Sequence, residues 1–181
     1  MNKKNKVIII EDNFDDFKDV KSQLQDEYDC YPKFSEEQFR EFRGMLELCF
    51  DGGNDEEIGK RYVRDVIRKI KKPTLFIIDY QLKDDDHKLK ISGDKFYLEF
   101  VKSTKVPSLF ITRWRTDHPE TSRDLSLENN HLLEFTKSSD GGPKELLFKS
   151  TDLSRVEFKD ALKKSIKSLI SRQIIIDPDT L

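Results

Sequence analysis

Five side chains stand where short apolar runs of this sequence stop. Glu11 and Asp12 follow Val7-Ile-Ile-Ile10, Asp79 follows Leu75-Phe-Ile-Ile78, Thr112 ends Val106–Thr112, and Lys149 follows Glu145–Phe148. Three carboxylates, a hydroxyl and an ammonium form a coherent chemical set if the fold brings them to one place. Carboxylates held together repel and raise one another's pKa unless a cation neutralises them, and hard oxygen ligands with open coordination positions suit Mg2+. A carboxylate beside such an ion can attack phosphorus in line, because the ion screens the approach of one anion to another. Asp79 is the candidate nucleophile, with Glu11 and Asp12 as its companions around the metal. Lys149 offers a point charge, and Thr112 a hydrogen-bond donor, to a newly formed phosphoryl group.

The segments between these residues alternate in kind. Lys6–Ile10, Thr74–Ile78, Val106–Thr112 and Glu145–Phe148 are short continuous apolar runs, the pattern of strands buried on both faces. Phe14, Phe17, Val20 and Leu24 recur at helical spacing after Asn13, and Phe96, Tyr97, Phe100 and Val101 do so after Gly93. Tyr28–Phe34 is a weaker strand candidate, and Pro32 argues against a central place for it. Ser35-Glu-Glu-Gln38 has the form of a capping box, followed by Phe39, Phe42, Leu46 and Cys49 on one face. Ile58, Tyr62, Val63, Val66, Ile67 and Ile70 then write two helices or one broken one before the next strand. Ser154-Arg-Val-Glu157 opens a last helix with Phe158, Ala161, Leu162, Ile166 and Leu169 inward. Strands alternating with amphipathic helices predict an α/β fold, a doubly wound parallel sheet. In such sheets ligands bind beyond the carboxyl ends of the strands, where the five side chains fall.

Length and charge narrow the rest. The 181 residues suit one domain, expected over residues 1–172 with insertions at about 35–72 and 113–142, and residues 173–181 as a C-terminal tail. The stretch 113–142 is open between a short helix, a hairpin arm and a loop, and Ile174-Ile-Ile176 between an edge strand and docking elsewhere. The 33 basic residues nearly cancel the 35 acidic ones, so no global field attracts nucleic acid or an anionic membrane. The apolar run after the basic N-terminus is too short for a signal peptide or a spanning helix, which predicts a cytoplasmic protein. Cys30 and Cys49 lack any CxxC or Cys/His spacing and read as reduced, structural thiols.

The segments Lys6–Asp12, Phe76-Ile-Ile-Asp-Tyr-Gln-Leu82, Gly93 through Thr112, and Phe148-Lys-Ser-Thr-Asp-Leu153 follow one another as in the response-regulator receiver domain, which the chain resembles from about Lys6 to Ile170. That resemblance implies a flavodoxin-like, five-stranded parallel sheet with helical insertions. It implies Mg2+ held by Glu11 and Asp12, phosphorylation of Asp79, a metal contact through the backbone carbonyl of Gln81, and supporting roles for Thr112 and Lys149. It further implies a histidine kinase or phosphotransfer protein as phosphoryl donor, and output through a downstream protein partner or a homodimer. Activity would not exceed self-phosphorylation from a phosphodonor and autodephosphorylation. Departures stand beside the matches: Lys83 and the insertion Asp84-Asp-Asp-His87, Arg113 after Thr112, Ser150 after Lys149, and Leu146 where the family has an aromatic switch residue.

Each of these residues also has a plainer reading. Glu11 and Asp12 are suited to capping the helix that follows, and Lys137 competes with Lys149 for the lysine position. Asp84–His87 fits a solvated loop, and Trp114 fits either a partner contact or a lid over the core. Two further functions follow from these readings: a pseudo-receiver acting as a phosphorylation-independent interaction module, and a metal-dependent hydrolase or nuclease.

Overall fold

The computed structural model describes residues 4–82, 91–113, 131–149 and 155–176, without the side chains of residues 113, 148, 149, 155 and 173–176. The elements run β1 (Asn5–Ile10), α1 (Phe14–Leu24), β2 (Tyr28–Tyr31), α2 (Glu36–Leu48), α3 (Glu56–Lys69), β3 (Leu75–Asp79), β4 (Gln81–Leu82), β5 (Ile91–Ser92), α4 (Gly93–Phe96), β6 (Ser108–Arg113), a helical segment α5 over 131–137, β7 (Lys144–Lys149) and α6 (Arg155–Ile176). α4 continues as a π-helical turn, Tyr97–Val101, and a 3-10 turn, Lys102–Thr104. Five strands make one sheet in the order β2-β1-β3-β6-β7. All its pairs are parallel, and β4 and β5 form a separate antiparallel pair.

The continuous apolar runs are explained by this arrangement. Successive strand residues point to opposite faces. Val7 and Ile9 of β1, Leu75 and Ile77 of β3, and Leu109 and Ile111 of β6 pack with Phe17, Val20 and Leu24 of α1 and Leu162, Ile166 and Leu169 of α6. Their neighbours Ile8, Ile10, Phe76, Ile78 and Phe110 pack with Phe42 and Leu46 of α2, Val63 of α3, Phe96 of α4 and Leu132 of α5. Both faces of the sheet are therefore covered, the condition under which a strand dispenses with polar alternation.

Two helices, α2 and α3, fill the crossover between β2 and β3, where one is enough to join parallel strands. The capping box is present: the Ser35 hydroxyl accepts from the Gln38 N–H, and the Gln38 side chain accepts from the Ser35 N–H. Phe39 reaches the α1 side of the sheet, 5.2 Å from Phe14 and 5.4 Å from Phe17 between ring centres, whereas Phe42 and Leu46 lie on the other side. α2 thus straddles the outer edge of β2, which shields an edge strand from pairing with other chains. Pro32 follows that strand at the sheet margin, where its missing N–H costs no ladder bond.

Several boundaries differ from expectation. Asp79 is the last residue of β3 and not the first beyond it, and Gly93 opens α4 from inside. Part of the stretch 113–142 is the helical segment 131–137 and part is strand β6's last residue. Ile174–Ile176 form no edge strand: α6 continues through Ile176, because neither Gly nor Pro interrupts it before Pro178. The hairpin β4–β5 was not foreseen, since two residues on each side carry no period. Ser154, Lys83, the Asp84–His87 insertion, Trp114 and Ser150 lie outside the described residues. No helix among the described residues is long and apolar enough to cross a membrane.

Candidate metal and phosphoryl site

β1 and β3 pair in register from Val7↔Leu75 to Ile10↔Ile78, so both strands reach their carboxyl ends at the same level. Glu11 and Asp12 therefore meet Asp79. Carboxylate oxygens of the three lie within 4.8 Å of one another. Glu11 is 4% exposed and Asp79 8%, while Asp12 is half-buried. Burial, a hydrogen bond with Glu11 and the charges of Glu11 and Asp79 push the Asp12 carboxyl up to about 8. Three anions this close keep a proton or take up a cation.

Neither Glu11 nor Asp12 is the cap of α1. Asn13 is, its side chain accepting from the N–H groups of Asp15 at 2.9 Å and Asp16 at 3.2 Å. The Glu11 Oε1 instead accepts from the N–H groups of Asp12 at 3.1 Å and Asn13 at 3.3 Å. Those bonds fix the direction of the carboxylate at the turn between strand and helix.

Asp79 stands opposite Ile111 of β6, and the next N–H, that of Tyr80, donates to the Ile111 carbonyl at 2.8 Å. Thr112, 4% exposed, comes one residue later on β6 and stands opposite Phe148 of β7. The same register sets Lys149 opposite Arg113. The backbone thus brings the ends of β1, β3, β6 and β7 side by side, in an order that places the carboxylates of Glu11, Asp12 and Asp79 next to the Thr112 strand. Lys137, the competing lysine, sits on the exposed side of 131–137 and pairs with Glu134 at 2.9 Å. Gln81 heads β4 and pairs with Ser92, two residues beyond Asp79.

Two supporting features escaped sequence reasoning. Gly93 donates its N–H to the Tyr80 carbonyl at 2.9 Å, and a Cβ placed on it would lie 2.6 Å from the Asp79 carbonyl oxygen and 3.0 Å from Ile78 Cγ2. Only glycine lets α4 start this close to β3. Asp94, next in sequence, faces His131 at 3.2 Å, which ties 131–137 to the start of α4. The glycine was visible as a helix opener, but its contact is between elements 14 residues apart and left no local signal.

No protein-family model matches the chain, and no curated protein matches it in sequence. Its strand order is that of flavodoxin-like doubly wound sheets. Solved structures similar to it include the signal receiver domain of a modulated diguanylate cyclase from Desulfovibrio desulfuricans, 16% identical, covering 96% of this chain and 98% of that one with a TM-score of 0.48. The signal receiver domain of a signal transduction histidine kinase from Syntrophus aciditrophicus is 15% identical over 96% of this chain and 93% of that one, with a TM-score of 0.46. A fusion carrying the trimeric coiled coil of yeast Spc42 is 12% identical over 98% of this chain and 87% of that one, with a TM-score of 0.53. The fold is flavodoxin-like. In this flavodoxin-like chain the crossover between β2 and β3 is enlarged by a helix, and Leu146 of β7 is half-buried on the α2–α4 side of the sheet.

Proposed function

We propose that the protein is a receiver-like signalling module that accepts a phosphoryl group on Asp79 in a Mg2+-dependent reaction and passes the signal on by protein contact. The observation that carries this reading is the meeting of Glu11, Asp12 and Asp79 within 4.8 Å at one rim of the sheet. The donor set is all carboxylate, the hard-oxygen chemistry that suits Mg2+, and the raised pKa of Asp12 reflects its burial together with the hydrogen bond with Glu11 and the charges of Glu11 and Asp79. Glu11, Asp12 and Asp79 would hold the ion, with the Gln81 carbonyl as a further ligand. Bound there, it would neutralise the cluster and the oxygens of the incoming phosphoryl group.

An Asp79 carboxylate oxygen attacks phosphorus while the bond from phosphorus to the donor's histidine nitrogen breaks, and that nitrogen keeps the bonding pair. The buried Thr112 hydroxyl donates to a phosphoryl oxygen, and Lys149 supplies the opposing charge. Water later attacks phosphorus, the bond from phosphorus to the Asp79 oxygen breaks, and inorganic phosphate leaves the free Asp79 carboxylate. A histidine kinase or phosphotransfer protein in the cytoplasm is the donor, and a protein partner or a second copy reads the altered surface.

Incubation with acetyl phosphate and Mg2+, followed by intact mass measurement, tests the reading. The wild-type chain is expected to gain one phosphoryl group and to bind beryllofluoride, and Asp79→Asn or removal of Mg2+ to abolish both. A wild-type chain that does neither is a pseudo-receiver. Asp79-dependent turnover of a phosphodiester would instead establish the hydrolase reading.

A further inference from the structure

The second half of α3 carries a charge pattern unlike the rest of the chain. Seven basic residues within 60–72 stand against one acidic residue, Asp65, while the whole chain holds 33 basic and 35 acidic. α3 buries Gly59 and Val63 against its neighbours. Helical periodicity puts Arg61, Arg64 and Arg68 in one stripe opposite Gly59 and Val63, roughly 10 Å long at 1.5 Å per residue, with Arg64 lying against Glu99 and Phe100. Arg64 is held by Glu99 and Glu57. Arg61 and Arg68 are exposed and make no ion pair among the described residues. A groove of about 390 Å3 follows this stripe, lined by the three arginines with Glu57, Ile58 and Asp65. Ile58 is 57% exposed, the most exposed large aliphatic residue of α3.

The helix itself does not account for this face. Arg68 lies in the last turn, where the helix dipole favours a cation, but Arg61 lies in mid-helix, where that effect has faded. A guanidinium presents a planar fork that matches a carboxylate with two parallel hydrogen bonds. Two such forks two helical turns apart, beside an exposed isoleucine, complement a helix that repeats carboxylates at the same spacing next to one apolar side chain. We infer that this face of α3 docks an acidic amphipathic helical segment of another protein. Its carboxylates pair with Arg61 and Arg68, and its apolar side chain covers Ile58. A nucleic acid fits less well, because its regularly spaced phosphates would run past the carboxylates of Glu57 and Asp65, which a peptide can avoid.

The surface is separate from the phosphoryl site. α3 leads to Thr74, whose N–H donates to the Lys6 carbonyl at the start of β1, so the stripe descends toward the amino rim of the sheet. The carboxylate cluster lies on the carboxyl rim. The inference therefore stands whether or not Asp79 is phosphorylated.

Fluorescence anisotropy of the full chain with a labelled alanine-based helical peptide tests it. The probe carries glutamates at i, i+3 and i+7 with one leucine a turn earlier, and a lysine-for-glutamate version and a short DNA duplex serve as comparisons. The acidic peptide is expected to bind, to weaken as salt rises, and to lose at least about tenfold in affinity with Arg61→Glu/Arg68→Glu. Arg61→Gln/Arg68→Gln should show the same direction with the fold intact by circular dichroism. No binding, equal binding of the lysine peptide, or affinity unchanged in both double variants overturns the inference. So does tighter binding of the duplex through the same arginines.

Discussion

Asp12 is the residue through which the cluster's charge is most directly tested. It is only half-buried, yet its carboxyl is pushed up to about 8 by burial and by Glu11 and Asp79 beside it. Asp12→Asn keeps the shape and removes the carboxyl whose ionisation the buried cluster opposes. We expect the variant to be more stable than wild type by about 1 kcal/mol without divalent ions. In Mg2+ we expect the order to reverse if the proposed site binds the ion, because the variant lacks one of its carboxylates. Thermal unfolding of both proteins with and without Mg2+ reads this, and equal Mg2+-induced shifts would remove Asp12 from the metal site. At this scale the sequence was informative: Glu11, Asp12 and Asp79 were recognisable because each ends an apolar run. What it lacked was register. That Asp79 falls opposite Ile111, with Thr112 one step further, depends on strand pairing between segments more than thirty residues apart.

Elements hold the site together through one close approach. α4 begins at Gly93 against the Asp79 carbonyl, where a Cβ would sit at 2.6 Å. Gly93→Ala must push α4 or the end of β3 aside, and we expect a loss of about 1–3 kcal/mol. Because the displaced backbone belongs to Asp79, phosphorylation by acetyl phosphate should slow as well. Urea denaturation and the phosphorylation time course measure the two effects, and a variant altered in neither would mean that α4 does not set the position of Asp79. Strands β1, β3 and β6 were legible because both of their faces are covered, which left unbroken runs such as Val7–Ile10. The hairpin β4–β5 was not, for two residues per strand cannot display a period. The end of α6 was misjudged because Ile174–Ile176 resemble a strand in composition while the helix simply continues.

For the whole molecule, the buried thiols set an alkaline limit. Cys49 is fully buried and its Sγ donates to the Met45 carbonyl at 3.1 Å; burial pushes its pKa from 9.0 up to about 12. Cys30 is likewise pushed up to about 11 by burial. Above pH 9 the unfolded chain releases thiol protons that the folded chain retains. The folded state then binds more protons, so stability falls as pH rises through this window. Between pH 8 and pH 10 each thiol costs about 1 kcal/mol on this account. Cys49→Ala should lower stability at pH 8 through lost packing but fall less steeply toward pH 10. Urea midpoints at the two pH values decide it, and parallel slopes would exclude the thiol as the titrating group. A parallel sheet with both faces covered and a candidate site at its carboxyl rim were implied by alternating apolar runs and helical stripes, whereas the strand order was implied only by the family resemblance. The straddling of β2 by α2 was not, because Phe39 on one layer and Phe42 on the other look alike in sequence.

The π-helical turn at Tyr97–Val101 has an evolutionary corollary. A turn closed by i→i+5 bonds holds one residue more than an α-helical turn, so it marks where a single-residue insertion can be absorbed without rotating everything downstream. Leu98 is 52% exposed, whereas Tyr97, Phe100 and Val101 are buried. Excising Leu98 would return the segment to ordinary winding and leave the inward rings in phase. Homologues one residue shorter in this helix should therefore keep the same core.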